Sequence, residues 1–240
     1  MSCYSYLAPW YDLLTGDVPY GDFADFYETE FARCGGQFRL VLDLCCGTGT
    51  LTWLMAGRGY EMIAADCSVD MLTQAQGKSV PVATPPLFLC QDAARLDLYG
   101  TVDAAICSLD GMNYIPPKAL GDVFHRLHLF VRPGGLVIFD VRTPEFLRGL
   151  DGQIFVDETD DVLCLWRADF DSALPAIVYG MDIFSRESVN WSRSSEEHTE
   201  YAHEPAALKA LLEREGFHGV QLRSDCPQGD AGRLFVVAER

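Results

Sequence analysis

The sequence predicts an α/β fold: a doubly wound, mostly parallel sheet with helices on both faces. Three observations predict it. The stretch Leu40-Val41-Leu42-Asp43-Leu44-Cys45-Cys46-Gly47-Thr48-Gly49-Thr50 is a short apolar run containing one acid, closed by two glycines, and Leu51, Leu54 and Met55 after it share a helical face. Further apolar runs at 60–66, 87–90, 102–107 and 136–141 alternate with helical spacing, clearest at Leu120, Val123, Phe124, Leu127 and Phe130. Continuous apolar runs bounded by glycine are how strands buried on both faces of a parallel sheet read. Finally, the alternation stops between about 150 and 203, where runs at 162–170, 176–184 and 190–201 read as antiparallel strands joined by turns.

Each element has a local reason. Residues 1–36 are rich in tyrosine and acid, and Ala24 to Cys34 is an expected amphipathic helix with Phe23, Phe26, Tyr27 and Phe31 on one side, ended by Gly35-Gly36. The 40–44 strand runs through the glycine turn into a helix, a unit that sets backbone N–H groups and a helix N-terminus beside any ligand at the strand's C-terminal edge. Strand two, 60–66, ends in Asp66, an acid about 20 residues beyond the turn, where it can accept from both hydroxyls of a ribose. Ser68 is an expected N-cap for the next helix. Residues 75–86 read as a loop, with Pro81, Pro85 and Pro86. Strand three, 87–90, leads to Gln91-Asp92-Ala93, and strand four, 102–107, to Ser108-Leu109-Asp110-Gly111-Met112-Asn113-Tyr114. The helix of 120–130 is expected to break at Arg132-Pro133-Gly134-Gly135 before strand five at 136–141. Pro205 to Glu215 reads as a helix with proline in its first turn and Gly216 at its end. Residues 217–226 and 233–239 close the chain as a hairpin.

The totals bound the function. The chain has 240 residues, 49% of them hydrophobic, enough for one large domain with an elaboration. A net charge of −17 with no lysine/arginine run argues against nucleic acid and against an anionic membrane surface. No apolar stretch approaches the roughly 18 residues of a membrane span, and the first residues do not read as a signal peptide. Nine scattered cysteines suit a reducing cytoplasm rather than a disulfide framework. A cytoplasmic protein acting on a small molecule is therefore expected, with the oligomeric state open.

Asp43-Leu-Cys-Cys-Gly47-Thr48-Gly49 resembles the first motif of the class I, seven-strand S-adenosylmethionine-dependent methyltransferases, an acid followed by alternating glycines. Cys45 stands where that motif has its first glycine. Cys67-Ser68-Val69-Asp70-Met71-Leu72, the acid Asp92 after strand three, the run after strand four, the helix–Pro-Gly-Gly–strand and the terminal hairpin extend the resemblance over nearly the whole chain, most thinly between 142 and 195. It implies a Rossmann-like seven-stranded sheet with an antiparallel last strand. Residues 1–145 and 204–240 would form the cofactor-binding domain, with 1–36 as a cap, and 146–203 would form an inserted β lid for substrate. It implies S-adenosylmethionine as cofactor and S-adenosylhomocysteine as product. The contacts it implies come from Tyr11 and Tyr20 at the methionine end, from Asp43, Cys45, Gly47 and Gly49 around the turn, and from Asp66 and Cys67 at the ribose. Met71, Gln91, Asp92 and Ala93 would serve the adenine, and Ser108 and Asp110 the strand-four edge.

The expected chemistry is in-line attack of a small-molecule acceptor on the sulfonium methyl, where the protein mainly aligns and excludes water. No catalytic residue is conspicuous; Asp110, Asn113, Tyr114, His198 and His203 are the candidates. The 196–203 segment holds three acids and two histidines, but as a strand it sets only His198 and Glu200 on one face and Tyr201 and His203 on the other, so no metal site is expected. Cys45, Cys46, Cys67, Cys90 and Cys107 should gather along one crest of the sheet as packing residues. Two other readings stay open: a nicotinamide-dependent (NAD) oxidoreductase, against which the β-branched Thr52 at the third small position of G-x-G-x-x-G speaks, and a non-catalytic S-adenosylmethionine-binding or partner-binding protein on the same fold.

Overall fold

The computed structural model of the chain describes residues 4–229 and 232–240. Seven strands form the main sheet: β1 Leu40–Leu44, β2 Glu61–Asp66, β3 Leu87–Cys90, β4 Val102–Cys107, β5 Val131–Arg142, β10 His218–Arg223 and β11 Arg233–Glu239, in the order β10-β11-β5-β4-β1-β2-β3. β1 to β5 run parallel, and β11 is antiparallel to both its neighbours. Strand order reverses between β1 and β4, and that switch point opens a crevice at the C-terminal edge of the sheet.

Alternation within the strands builds two cores. Leu42 and Leu44, with Ala105 and Val137, pack against helix α5, Leu120–Phe130, and helix α7, Pro205–Arg214. Val41, Ala104, Ile138 and Phe235 point the other way, onto helix α2, Tyr20–Cys34, and helix α3, Thr50–Gly57. A parallel sheet covered on both sides is the arrangement that continuous apolar strands require. Helix α4, Val69–Gly77, is capped by Ser68, whose Oγ accepts from Met71 N–H at 3.3 Å.

The second sheet is separate and wholly antiparallel, in the order β6-β7-β8-β9: Ile154–Glu158, Val162–Asp171, Ala176–Glu187 and Asn190–Tyr201. Its inner face carries Cys164, Met181 and Ile183 against Leu7 and Trp10 of the N-terminal segment. That segment forms a 3-10 turn, Ala8–Trp10, and one helical turn, α1 Tyr11–Leu14.

Several boundaries differ from expectation for physical reasons. Three strands were expected in the insertion and there are four. β6 has no buried face, with Ile154 66% and Val156 56% exposed, so its sequence lacks period-2 alternation. Helix α2 starts at Tyr20 rather than Ala24, directly after Pro19, whose C=O accepts from Asp22 N–H at 2.9 Å and Phe23 N–H at 3.3 Å. Helix α4 runs to Gly77, into the stretch expected as loop. Helix α5 ends at Phe130 as expected, but β5 starts earlier than Leu136: Val131 already pairs with Val102, and Arg132 to Gly135 then bulge, with Gly134 at φ +71° and Arg132 Nε donating to Asp103 Oδ1 at 2.6 Å, before Leu136 pairs with Ala104. Helix α6, Pro144–Gly149, is capped by Thr143 and joins the two sheets.

Candidate active site

A cleft of about 510 Å³ lies at the switch point and continues to the edge of β9. Its floor is the turn after β1. Gly47 has φ +55°, and a Cβ there would meet nothing within 4 Å, so the turn presents open backbone to the cleft. Gly49 is different. It has φ +68° and does not line the cleft, and a Cβ there would press within 3.1 Å of Ala75 and Phe88. Its glycine serves packing between the turn, α4 and β3. Cys45 occupies the first glycine position of the motif and adopts the same left-handed backbone, φ +57°. Its thiol meets that of Cys107, whose pKa is pushed well up by this contact and by burial.

Asp43 is buried in the cleft wall and accepts a short hydrogen bond from the Thr52 hydroxyl. Burial pushes its carboxyl up to about 7 against the pull of Thr52, with Asp66 adding to the rise. Thr52 therefore has a polar duty facing β1, which is why a β-branched residue sits where dinucleotide motifs need a small one. Asp66 ends β2 at the cleft. Its Oδ2 accepts from Gly47 N–H at 2.9 Å and its Oδ1 from Ser68 N–H at 2.8 Å. Burial raises its pKa, and these N–H groups oppose the rise. Asp92 caps a 3-10 turn by accepting from Ala94 N–H at 2.9 Å and lines the cleft as well. Gln91 lines it too, its amide held by Asp97 N–H and C=O at 2.8 and 3.2 Å. Cys67, Met71, Ala93 and Ser108 complete this end.

The N-terminal segment crosses the cleft and brings Tyr11 and Tyr20 to it. Asp12 fastens it: Oδ1 accepts from Thr48 Oγ1 at 2.5 Å and Thr50 Oγ1 at 3.1 Å, and Oδ2 pairs with Lys78 Nζ at 2.6 Å. Burial alone would raise the Asp12 carboxyl, but Lys78 and the two hydroxyls bring it below its usual value.

The loop after β4 holds two successive non-glycine residues in left-handed conformation, Leu109 at φ +54° and Asp110 at φ +61°. Such backbone costs energy unless the surroundings fix it. Here Asp140 of β5 accepts from Leu109 N–H at 2.8 Å and Asp110 N–H at 3.0 Å, and Arg233 of β11 bonds the carboxylates of both Asp140 and Asp110. Burial alone would lower the Arg233 pKa, but Asp110 and Asp140 outweigh it and raise it.

The structure divides the sequence candidates. Tyr114 lines the cleft; Asp110 does not, being drawn away by Arg233 and, at 3.7 Å, by Arg142. Asn113 is wholly buried and stitches the two sheets, bonding Arg142 N–H and C=O at 2.9 and 3.2 Å and Tyr201 C=O at 2.9 Å. His203 is buried behind the loop with Nε2 at 3.1 Å from Met112 C=O, and burial lowers its pKa. His198 lies behind Tyr114, Nδ1 at 3.5 Å from the phenol oxygen and Nε2 at 2.9 Å from Glu196. The five crest cysteines do gather here: Cys45, Cys46 and Cys67 line the cleft, Cys107 lies against Cys45, and Cys90 Sγ reaches Cys67 C=O at 3.9 Å.

Sequence reasoning missed Lys78, Tyr4, Tyr201 and the pair Asp140–Arg233. A signal existed for Asp140. Like Asp43, it is a single acid inside an apolar strand, a pattern that marks a buried carboxylate with assigned partners. Lys78 carried none, since it lies just past the end of helix α4, in the stretch read as loop.

Comparison with known proteins agrees with this geometry. Residues 41–135 match a family model described as a methyltransferase domain. Over 99% of its length the chain is 27% identical to the putative methyltransferase YqeM of Bacillus subtilis (strain 168), covering 97% of that protein. The crystal structure of a S-adenosylmethionine-dependent methyltransferase from Clostridium acetobutylicum ATCC 824 superimposes with a TM-score of 0.80 at 25% identity, covering 99% of each chain. The fold also matches the sugar N-methyltransferase KedS8 from Streptoalloteichus sp ATCC 53650, with TM-score 0.81, 20% identity, and 96% and 92% of the two chains covered. With its seven-stranded sheet, its antiparallel last strand and its cleft at the switch point, the chain has the class I S-adenosylmethionine-dependent methyltransferase fold, carries a methyltransferase domain over residues 41–135 and is an enzyme of S-adenosylmethionine-dependent methyl transfer.

Proposed function

We propose that the enzyme methylates a small, neutral or cationic acceptor held between the glycine turn and β9, under a lid formed by residues 146–203. One observation carries this reading: a single cleft joins the turn, Asp66 and Asp92 at one end to Tyr4, Tyr114, Glu197, Thr199 and Tyr201 at the other. The residues fit S-adenosylmethionine. Asp66 is fixed by two backbone N–H groups and keeps further lone pairs for ribose hydroxyls. The open Gly47 turn admits a ligand against the backbone. Asp92 and Ala93 would serve the adenine, with Met71 beside it, and Tyr11 and Tyr20 the methionine end.

The cofactor supplies an electrophilic methyl group. The chain's own residues bind and orient both molecules and exclude water. Asp43, Asp66, Asp92 and Glu197 line the cleft and, among the described residues, no lysine or arginine does. An acceptor carrying a carboxylate or phosphate near its nucleophile would find no cation there, whereas a neutral or cationic one is favoured. The fold likeness to KedS8, described as a sugar N-methyltransferase, is in keeping with a small acceptor. Among the described residues no helix is long and apolar enough to cross a membrane, and the eight described cysteines are free thiols, in keeping with a cytoplasmic enzyme.

The test is parallel calorimetric titration with S-adenosylmethionine, S-adenosylhomocysteine and NAD⁺. The first two should bind and NAD⁺ should not. Asp66→Ala should weaken S-adenosylhomocysteine by about 1.5–3 kcal/mol, the worth of hydrogen bonds to a charged partner. Unchanged affinity in a folded variant would remove Asp66 from the ribose site.

A further inference from the structure

We infer that Tyr114, His198 and Glu196 form a proton relay that opens on the acceptor end of the cleft and serves an acceptor whose nucleophilic atom carries a proton when it binds, an amine or a hydroxyl. The inference rests on the methyltransferase reading and assigns a base to it.

The geometry sets direction as well as proximity. Glu196 is nearly buried and uses both oxygens: Oε1 lies 2.9 Å from His198 Nε2, and Oε2 accepts from Tyr6 N–H at 2.9 Å. A carboxylate at that distance fixes the proton on Nε2 and leaves Nδ1 as an acceptor. Nδ1 faces the Tyr114 hydroxyl at 3.5 Å, a spacing of the kind that tightens when substrate closes a site. Tyr114 is the member that reaches the cleft, while the His198 side chain is fully shielded behind it. The ring of Tyr4 seals the pair, 4.2 Å from His198 and 5.7 Å from Tyr114 between centroids. Burial holds the Tyr114 phenol well above its usual pKa, so it passes a proton on rather than resting as a phenolate.

The step balances. The acceptor's N–H or O–H proton moves to the Tyr114 oxygen as the Tyr114 proton moves to His198 Nδ1. The pair freed on the acceptor atom makes the bond to the methyl carbon, and the carbon–sulfur pair stays on sulfur. His198 ends as an imidazolium beside the Glu196 carboxylate. Glu196 is thus a positioning residue, and Tyr114 is the one in reach of substrate. The titratable groups around His198 are Glu196 and Glu200 on β9, Tyr179 paired opposite on β8, Tyr4 from the N-terminal segment and Tyr114 from the β4 loop. The Tyr114 side chain also hydrogen-bonds Tyr4 and the buried Glu200, and beyond them Asp110, Arg142 and Arg233 act on Glu200.

The test is nitrogen-15 NMR of the full chain labelled at its five histidines and saturated with S-adenosylhomocysteine, with His198→Asn to assign the signal. His198 should carry its proton on Nε2 with Nδ1 bare. Tyr114→Phe should shift the Nδ1 resonance while leaving Nε2 bonded. Glu196→Gln should shift the Nε2 resonance and leave Nδ1 bare, because an amide oxygen accepts more weakly than a carboxylate. A merely structural histidine would keep its Nδ1 signal through Tyr114→Phe. A proton on Nδ1, or indifference to Tyr114→Phe, overturns the relay, and that variant decides the matter alone if Glu196→Gln does not fold. Failure of S-adenosylhomocysteine to bind the wild type would count against the methyltransferase reading instead, and the tautomer read on the ligand-free chain would still decide the relay.

Discussion

Asp43 should make the ligand-free protein less stable as pH rises through neutrality, and Asp43→Asn should abolish that dependence. In the unfolded chain the carboxyl ionises near the ordinary aspartate value of 3.8; in the fold, burial holds it protonated to about 7. Between these values the folded chain keeps a proton that the unfolded chain has lost. On this account stability is greatest at about pH 4 and declines as pH climbs to about 7. Roughly three pH units at 1.36 kcal/mol each amount to a loss of about 4 kcal/mol, complete by pH 8. Asparagine mimics the protonated acid, and its carbonyl still accepts from Thr52. The variant should therefore match the wild type only at about pH 4 and below, exceed it by about 1.6 kcal/mol at pH 5, and exceed it by about 4 kcal/mol at pH 8. Urea unfolding of both proteins at pH 5, 6, 7 and 8, followed by circular dichroism, isolates the effect, because every other titrating group cancels in the difference. A difference that does not change with pH, or a variant weaker at pH 8, would refute the reasoning.

Other perturbations address the remaining devices. Asp140→Asn puts an amide against two N–H donors and Arg233 and should cost about 3–5 kcal/mol in urea unfolding, as for one partner removed from a buried ion pair; a loss under about 1 kcal/mol would mean that the Leu109–Asp110 turn holds itself. Gly49→Ala adds a Cβ at positive φ within 3.1 Å of Ala75 and Phe88 and should lower stability by about 1–3 kcal/mol, read as a drop in Tm. Lys78→Met breaks a partly exposed pair with Asp12 and should cost no more than about 1 kcal/mol in global stability, yet speed proteolytic cutting among residues 4–18. Cutting at the wild-type rate would show that the hydroxyls of Thr48 and Thr50 suffice.

The sheet and its switch point were legible because they depend on pattern. Leu40–Leu44, Val102–Cys107 and Leu136–Val141 are buried on both faces, and burial on both faces leaves a continuous apolar run whatever the details of packing. Asp66 and Asp92 were legible for a related reason: they follow strand ends at spacings that a parallel sheet and its ligand impose. What the sequence could not determine is how side chains far apart in the chain are paired. Asp110 and Tyr114 stand four positions apart on one loop, and nothing local says that the first turns to Arg233 and the second to the cleft. That choice is made by Asp140 and Arg233 on two other strands, 30 and 123 residues from Asp110. Gly49 reads as a ligand glycine until Ala75 and Phe88 are seen to fill the space beside it. Strand β6, apolar but exposed, carries no alternation to read. Composition and periodicity record how much surface each residue buries, and so fix the fold and the place of the cleft. Which carboxylate is free, which is paired and which histidine faces a tyrosine depend on contacts between strands, and only the folded chain makes them.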